Sequence, residues 1–151
     1  MTLLAVGRLK ARWAFDGSSE YIERIRKQVQ LTVEELPASK EKDPDKQREE
    51  ECARILDRLG KLDGDVWVLD ERGKGMTSEQ LSAVVRSSFD IGRPLVFVLG
   101  GAYGLTEEVR KKGKLLRLSD MTLPHELCRV LFLEQFYRAL EIQKGSGYHH
   151  E

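Results

Sequence analysis

Leu95-Val96-Phe97-Val98-Leu99 is an unbroken apolar run that ends directly on Gly100-Gly101-Ala102-Tyr103-Gly104. A strand with no polar alternation must be covered on both faces, as inside a parallel sheet; a half-exposed strand would alternate. Glycines at the end of such a strand let backbone amides approach a ligand closely. Val66-Trp67-Val68-Leu69 is a second run of this type, and Leu3-Leu4-Ala5-Val6, stopped by Gly7, is a third.

Helical patterns separate these runs. Ser18 or Ser19 is placed to cap a helix with Tyr21, Ile22 and Ile25 on one face. Val29, Leu31 and Val33 then alternate with polar residues as a half-buried strand that Pro37 closes. Asp43 before Pro44 starts a helix whose stripe is Cys52, Ile55, Leu56 and Leu59, with Gly60 as its stop. Asp70 to Gly75 reads as a flexible loop. Thr77 with Gln80 forms a capping box for a helix running to about Phe89. The order β-α-β-α-β-α-β predicts an α/β fold, with a mostly parallel sheet and helices on both faces. At 151 residues, with no linker or repeat, one domain over 1–151 is expected.

The helix from Pro124 to Lys144 is apolar in nearly every direction, through Leu127, Val130, Leu131, Phe132, Leu133, Phe136, Tyr137, Ala139, Leu140 and Ile142. Such a helix must be covered on all sides. The expectation is that one face packs on the sheet and the other meets a second copy, making a two-fold homodimer.

Composition sets limits on partners. With 40% hydrophobic and 33% charged residues the chain reads as globular, and no apolar run approaches a membrane span. Met1 to Gly7 lacks the basic start and cleavage site of a signal peptide, and Cys52 and Cys128 form neither a disulfide framework nor a zinc site. Both point to a reducing cytoplasm. The formal net charge is zero, so any nucleic acid must be held by local patches, a second subunit or a large shaped substrate.

The glycine turn lacks both the dinucleotide spacing and the Lys-Ser/Thr of a phosphate loop. Thr106 is placed to cap the short helix that follows. A second polar loop, Ser119-Asp120-Met121-Thr122-Leu123-Pro124-His125, suggests a pocket built from two chain crossings. Asp120 and His125 are its titratable groups, although His125 at a helix start is equally suited to capping or packing. The tail Tyr148-His149-His150-Glu151 carries an aromatic and two of the three histidines, groups suited to stacking on a base and taking a proton.

Taken together, Gly100-Gly101 with Gly104-Leu105, Leu118-Ser119 with Thr122-Leu123-Pro124-His125, Arg129-Val130, Tyr137-Arg138-Ala139 and Tyr148-His149 resemble the SPOUT-class family that methylates N3 of a pseudouridine in helix 69 of bacterial large-subunit ribosomal RNA. Ala5-Val6-Gly7 and the strand ending at Leu69 match as well. The resemblance implies a deep trefoil knot in the C-terminal part, about 95–151, a topology otherwise disfavoured. It implies that S-adenosylmethionine is the methyl donor, bent within the knot and held by Leu69, Gly100, Leu118, Ser119, Asp120, Met121, Thr122 and Leu123. It implies a homodimer in which one chain's tail completes its partner's site, with 23S ribosomal RNA in the ribosome as substrate. His125, Tyr148 and His149 would line the acceptor side, with no metal involved.

Relatives are often basic where this chain has His150, and Ala102-Tyr103 also departs from them. Arg8, Arg12, Lys74, Arg129 and Arg138 are candidate RNA contacts, the last two being equally suited to ion pairs. A nucleotide- or flavin-binding module and a non-catalytic ribosome-assembly factor are the alternatives.

Overall fold

The computed structural model describes residues 1–149; His150 lies outside them. The chain runs β1 (Thr2–Val6), α1 (Arg12–Arg26), β2 (Thr32–Leu36), α2 (Pro44–Leu59), β3 (Asp65–Gly75), α3 (Ser78–Asp90), β4 (Leu95–Leu99), α4 (Glu107–Arg110), β5 (Lys114–Arg117) and α5 (His125–Lys144). The five strands lie in the order β2-β1-β4-β3-β5, and every neighbouring pair is parallel.

The apolar runs occupy the middle of this sheet, and all five residues of β4 are buried. Strand periodicity sends alternate side chains to opposite faces. Leu95, Phe97 and Leu99 join Leu3, Ala5, Trp67 and Leu69 in a core closed by α1, α3 and α5. Val96 and Val98 join Leu4, Val6 and Val68 in a second core closed by α2 and α4. Phe97 is the centre of the first, its ring 4.6 Å from that of Phe132 and 5.9 Å from that of Phe136. Burying one such ring contributes about 1.5–3 kcal/mol.

Local signals set several helix starts as expected. Asp43 accepts a hydrogen bond from the Lys46 amide at 2.9 Å, and both bonds of the Thr77–Gln80 capping box are present. The start of α1 departs from expectation. It begins at Arg12, with Ser18 buried in mid-helix. Its cap comes from α5: the Glu126 carboxylate accepts from the amides of Lys10 and Ala11. Gly17 lies at the helix crossing, where a Cβ would stand 3.3 Å from Val130.

β2 likewise starts at Thr32, because the Val29 amide is taken by Ile25 in a closing turn. The stretch Asp70–Gly75, expected to be a loop, continues β3. It pairs with β5 across a register shift between Leu69 and Lys74. Gly73 permits this: a Cβ there would lie 2.7 Å from the backbone of Leu115 and Leu116. β5 itself is too short to show a period, so the sheet has one strand more than the sequence pattern suggests.

From β5 at the sheet edge, the chain returns to the centre as α5, packed against α1 and α3. The interior of α5 is less uniformly apolar than its composition suggests, since Arg129 and Glu141 are buried with Phe132, Leu133, Phe136, Ala139 and Leu140. Arg129 donates to Glu35 at 2.5 Å and to the Gly7 carbonyl at 2.7 Å. At 1% exposure it cannot reach RNA. Arg138 is paired with Glu134 at 2.5 Å, so of the two readings open for these arginines the ion pair holds for both. Leu127 remains exposed on the outer face. Among the described residues no helix is long and apolar enough to cross a membrane.

Candidate active site

A cavity of about 770 Å³ opens at the carboxyl ends of β3, β4 and β5, the position where open α/β sheets generally receive ligands. Its volume is within the range of small-molecule sites. The walls come from Leu69 at the expected end of the β3 apolar run, from the turn after β4 and from the loop after β5.

The first loop is tight for identifiable reasons. Gly104 has φ +76°, a left-handed conformation that a side chain would strain, and its amide donates to the Gly101 carbonyl at 3.2 Å. Gly100 and Gly101 leave no room for side chains. A Cβ on Gly100 would be 2.7 Å from Leu105, and one on Gly101 would be 2.2 Å from a carboxylate oxygen of Glu51. Glu51 is only 2% exposed, and its other oxygen accepts from the Ser39 amide at 3.0 Å and from Gln47 at 3.1 Å. The next residue, Cys52, accepts from the Thr106 amide at 3.2 Å. The floor of the glycine turn is therefore set by α2. Thr106 occupies the cap position of α4, but its hydroxyl makes no capping bond.

The second loop is shaped by Ser119, whose hydroxyl accepts from the Met121 amide at 2.9 Å. Leu118, Ser119, Met121, Thr122, Leu123 and His125 face the cavity, with Cys128 one turn further along α5. Burial pushes the Cys128 thiol up, so it is a neutral lining group and not a thiolate nucleophile. Asp120 points elsewhere: its carboxylate is 84% exposed and pairs with Arg117 at 2.9 Å. Of the residues expected on the donor side, the cavity thus gathers Leu69, Gly100, Leu118, Ser119, Met121, Thr122 and Leu123 and leaves out Asp120.

The tail is seated elsewhere on its own chain. Tyr148 meets the Tyr137 ring edge-on at 5.0 Å, lies beneath the Arg138 guanidinium at 4.8 Å and donates to Glu134 at 3.2 Å. Burial, followed by hydrogen bonding with Tyr21, pushes its phenol up, so it is protonated at neutral pH. His149 directs Nε2 at the Glu79 carboxylate on the first turn of α3. Neither tail residue lines the cavity of its own chain; His125 does.

Sequence reasoning missed the charged rim. Asp70 and Arg110 form a pair at 2.8 Å whose side chains are 5% and 13% exposed, and Arg72 reaches Glu107 at 2.5 Å. Asp70 was concealed because its segment reads as a loop, whereas the strand continues through it. Among the described residues no three His, Cys, Asp or Glu side chains converge as metal ligands would.

Fold and cavity define an α/β protein with a cavity of small-molecule size at the carboxyl ends of parallel strands. A family model described as "Predicted SPOUT methyltransferase" matches residues 1–149. Several curated relatives carry the name ribosomal RNA large subunit methyltransferase H. The one from Geobacter sp. (strain M21) is 40% identical, over all of this chain and 99% of its own length. The Streptococcus mutans protein is 38% identical over 97% of each chain. The one from Desulfovibrio desulfuricans is 41% identical over 97% of this chain and 95% of its own. The chain belongs to the SPOUT methyltransferase family.

Proposed function

We propose that this protein transfers a methyl group from S-adenosylmethionine to N3 of a pseudouridine in helix 69 of 23S ribosomal RNA, on the assembled ribosome. It acts as a single SPOUT domain that is knotted in its C-terminal part and works as a homodimer. The observation that carries this reading is the cavity formed by Leu69, Gly100 and the Leu118–Leu123 loop, in a chain collinear with relatives named as ribosomal RNA methyltransferases.

The cavity suits the donor. Leu69, Leu99, Leu116, Leu118 and Leu123 offer apolar walls, while the two loops present backbone donors and acceptors between them. The rim carries both signs of charge, with Glu107 and Asp70 already paired to Arg72 and Arg110, so a ligand with both a cationic and an anionic end meets a partner for each. When bound, the sulfonium supplies an already activated methyl group.

The remaining tasks fall to the chain's own side chains. They must orient the imide nitrogen, exclude water and accept one proton. Tyr148 is protonated and already donates to Glu134, which suits it to positioning and stacking and not to proton removal. His149 and His125 are the imidazoles available among the described residues. Because Tyr148 and His149 stand away from their own chain's cavity, they serve the site of a second copy laid against α5.

Replacing His149 with alanine is expected to lower methyl transfer to ribosomes by about 100-fold or more, the scale of a lost general base. S-adenosylmethionine affinity should stay within a factor of about two. Turnover at the wild-type rate would remove His149 from the site.

A further inference from the structure

His149 is held in a manner its role as proton acceptor does not by itself require. Its Nε2 faces the carboxylate of Glu79, while its Nδ1 is buried with no hydrogen-bond partner. The imidazole is about four-fifths buried, its side chain being 21% exposed. Glu79 lies in the first turn of α3, and its carboxyl is held down to about 2, chiefly by hydrogen bonding at that helix start and then by His149. An ionised carboxylate only accepts hydrogen bonds, so the ring nitrogen facing it must carry hydrogen. The neighbouring charges of α5, Glu134 and Arg138, are engaged with each other and with Tyr148.

We propose that Glu79 is a positioning residue that fixes His149 as its Nε2–H tautomer, leaving Nδ1 as the free acceptor that the methylation reaction uses. This rests on the methyltransferase reading above. In the proton step the N3–H bond of the substrate breaks and the proton moves to the Nδ1 lone pair. The bonding electrons stay on N3, which would form the N–CH3 bond as the methyl–sulfur bond of the donor breaks and its electron pair leaves on the thioether sulfur; Glu79 faces the imidazolium so formed. Nδ1 has no partner in the resting seat of the tail, and a buried acceptor calls for one; the substrate's N–H supplies it once the tail is presented to the partner's site. A histidine whose second nitrogen is anchored by a carboxylate is held in one tautomer and one ring orientation.

The test uses full-length protein labelled with 15N at histidine. Ring nitrogen frequencies report which nitrogen carries hydrogen, whether or not the protein turns over. Wild type is expected to show His149 as the Nε2–H tautomer. Glu79→Ala should show a mixture, with kcat on ribosomes falling about 10- to 100-fold, the range for losing a ring-orienting partner. KM for S-adenosylmethionine should not change. Glu79→Gln keeps an acceptor oxygen and should restore the single tautomer and part of the kcat.

A wild-type mixture overturns the proposal, as does a Glu79→Ala protein with unaltered tautomer, whatever its activity. A kcat loss in Glu79→Ala that Glu79→Gln shares in full also overturns it. If wild type transfers no methyl group at all, the functional reading fails instead, and the nitrogen spectra still decide what Glu79 does.

Discussion

Arg129→Met is expected to destabilise the protein by about 3 kcal/mol, near the lower end for breaking a buried ion pair by removing one partner. Arg129 is 1% exposed. It joins three segments, bonding from α5 to Glu35 at the end of β2 and to the Gly7 carbonyl after β1. Methionine fills much of the volume but leaves a carboxylate and a carbonyl without their donor. The lower end applies because Glu35 keeps 35% of its side-chain surface and can be rehydrated. The measurement is a urea unfolding midpoint. In Glu35→Gln with Arg129→Met the orphaned charge is gone, so the double variant should recover part of the loss. An Arg129→Met midpoint equal to wild type would mean that the pair contributes nothing net.

Gly101→Val is expected to lower S-adenosylmethionine affinity by about 100-fold, the cost of a displacement of about an ångström at a positioned site. A Cβ there would stand 2.2 Å from the Glu51 carboxylate. Glu51 cannot retreat easily, because Ser39 and Gln47 hold its other oxygen. The turn must therefore move, and with it the cavity wall. Overpacking should also cost about 1–3 kcal/mol of stability. Gly104→Ala is the control: nothing lies within 4 Å of a Cβ there, and only its φ of +76° is strained. That variant should lose about 1 kcal/mol of stability and bind the donor nearly as well. Calorimetric titration of the three proteins separates these effects. Wild-type affinity in Gly101→Val would dissociate the glycine turn from the donor site.

The sequence disclosed what depends on local chemistry. The apolar runs placed the central strands, and Asp43 and the Thr77–Gln80 box placed two helix starts. It concealed whatever depends on distant partners. The cap of α1 is Glu126, more than a hundred positions away, so local capping signals pointed to Ser18 or Ser19 instead. The extension of β3 depends on β5 lying beside it and on Gly73 letting the two backbones meet. The charged rim escaped notice for the same reason.

The site shows a similar division. Each loop is contiguous in sequence. The resemblance marked the lining residues of the second from Leu118 to Leu123, but of the first it assigned only Gly100 to the donor, although residues 101–106 line the cavity too. Asp120 is the exception: it sits within the right loop but is turned outward to Arg117. The tail's seat against Glu79, Glu134 and Tyr137 has no local signature, because it joins one turn of each of two helices to residues beyond the end of α5.

Methyl transfer to helix 69 is measured by supplying methyl-labelled S-adenosylmethionine to the purified protein with intact ribosomes, and separately with free 23S ribosomal RNA. Nuclease digestion and mass spectrometry then locate the label. About one methyl group per large subunit is expected, on N3 of a pseudouridine in helix 69. Transfer to the ribosome should be faster than to free RNA, since a chain of zero net charge has little bulk attraction for bare nucleic acid. Label on another nucleotide or on protein, or no label from a protein that binds the donor, would contradict the proposed function.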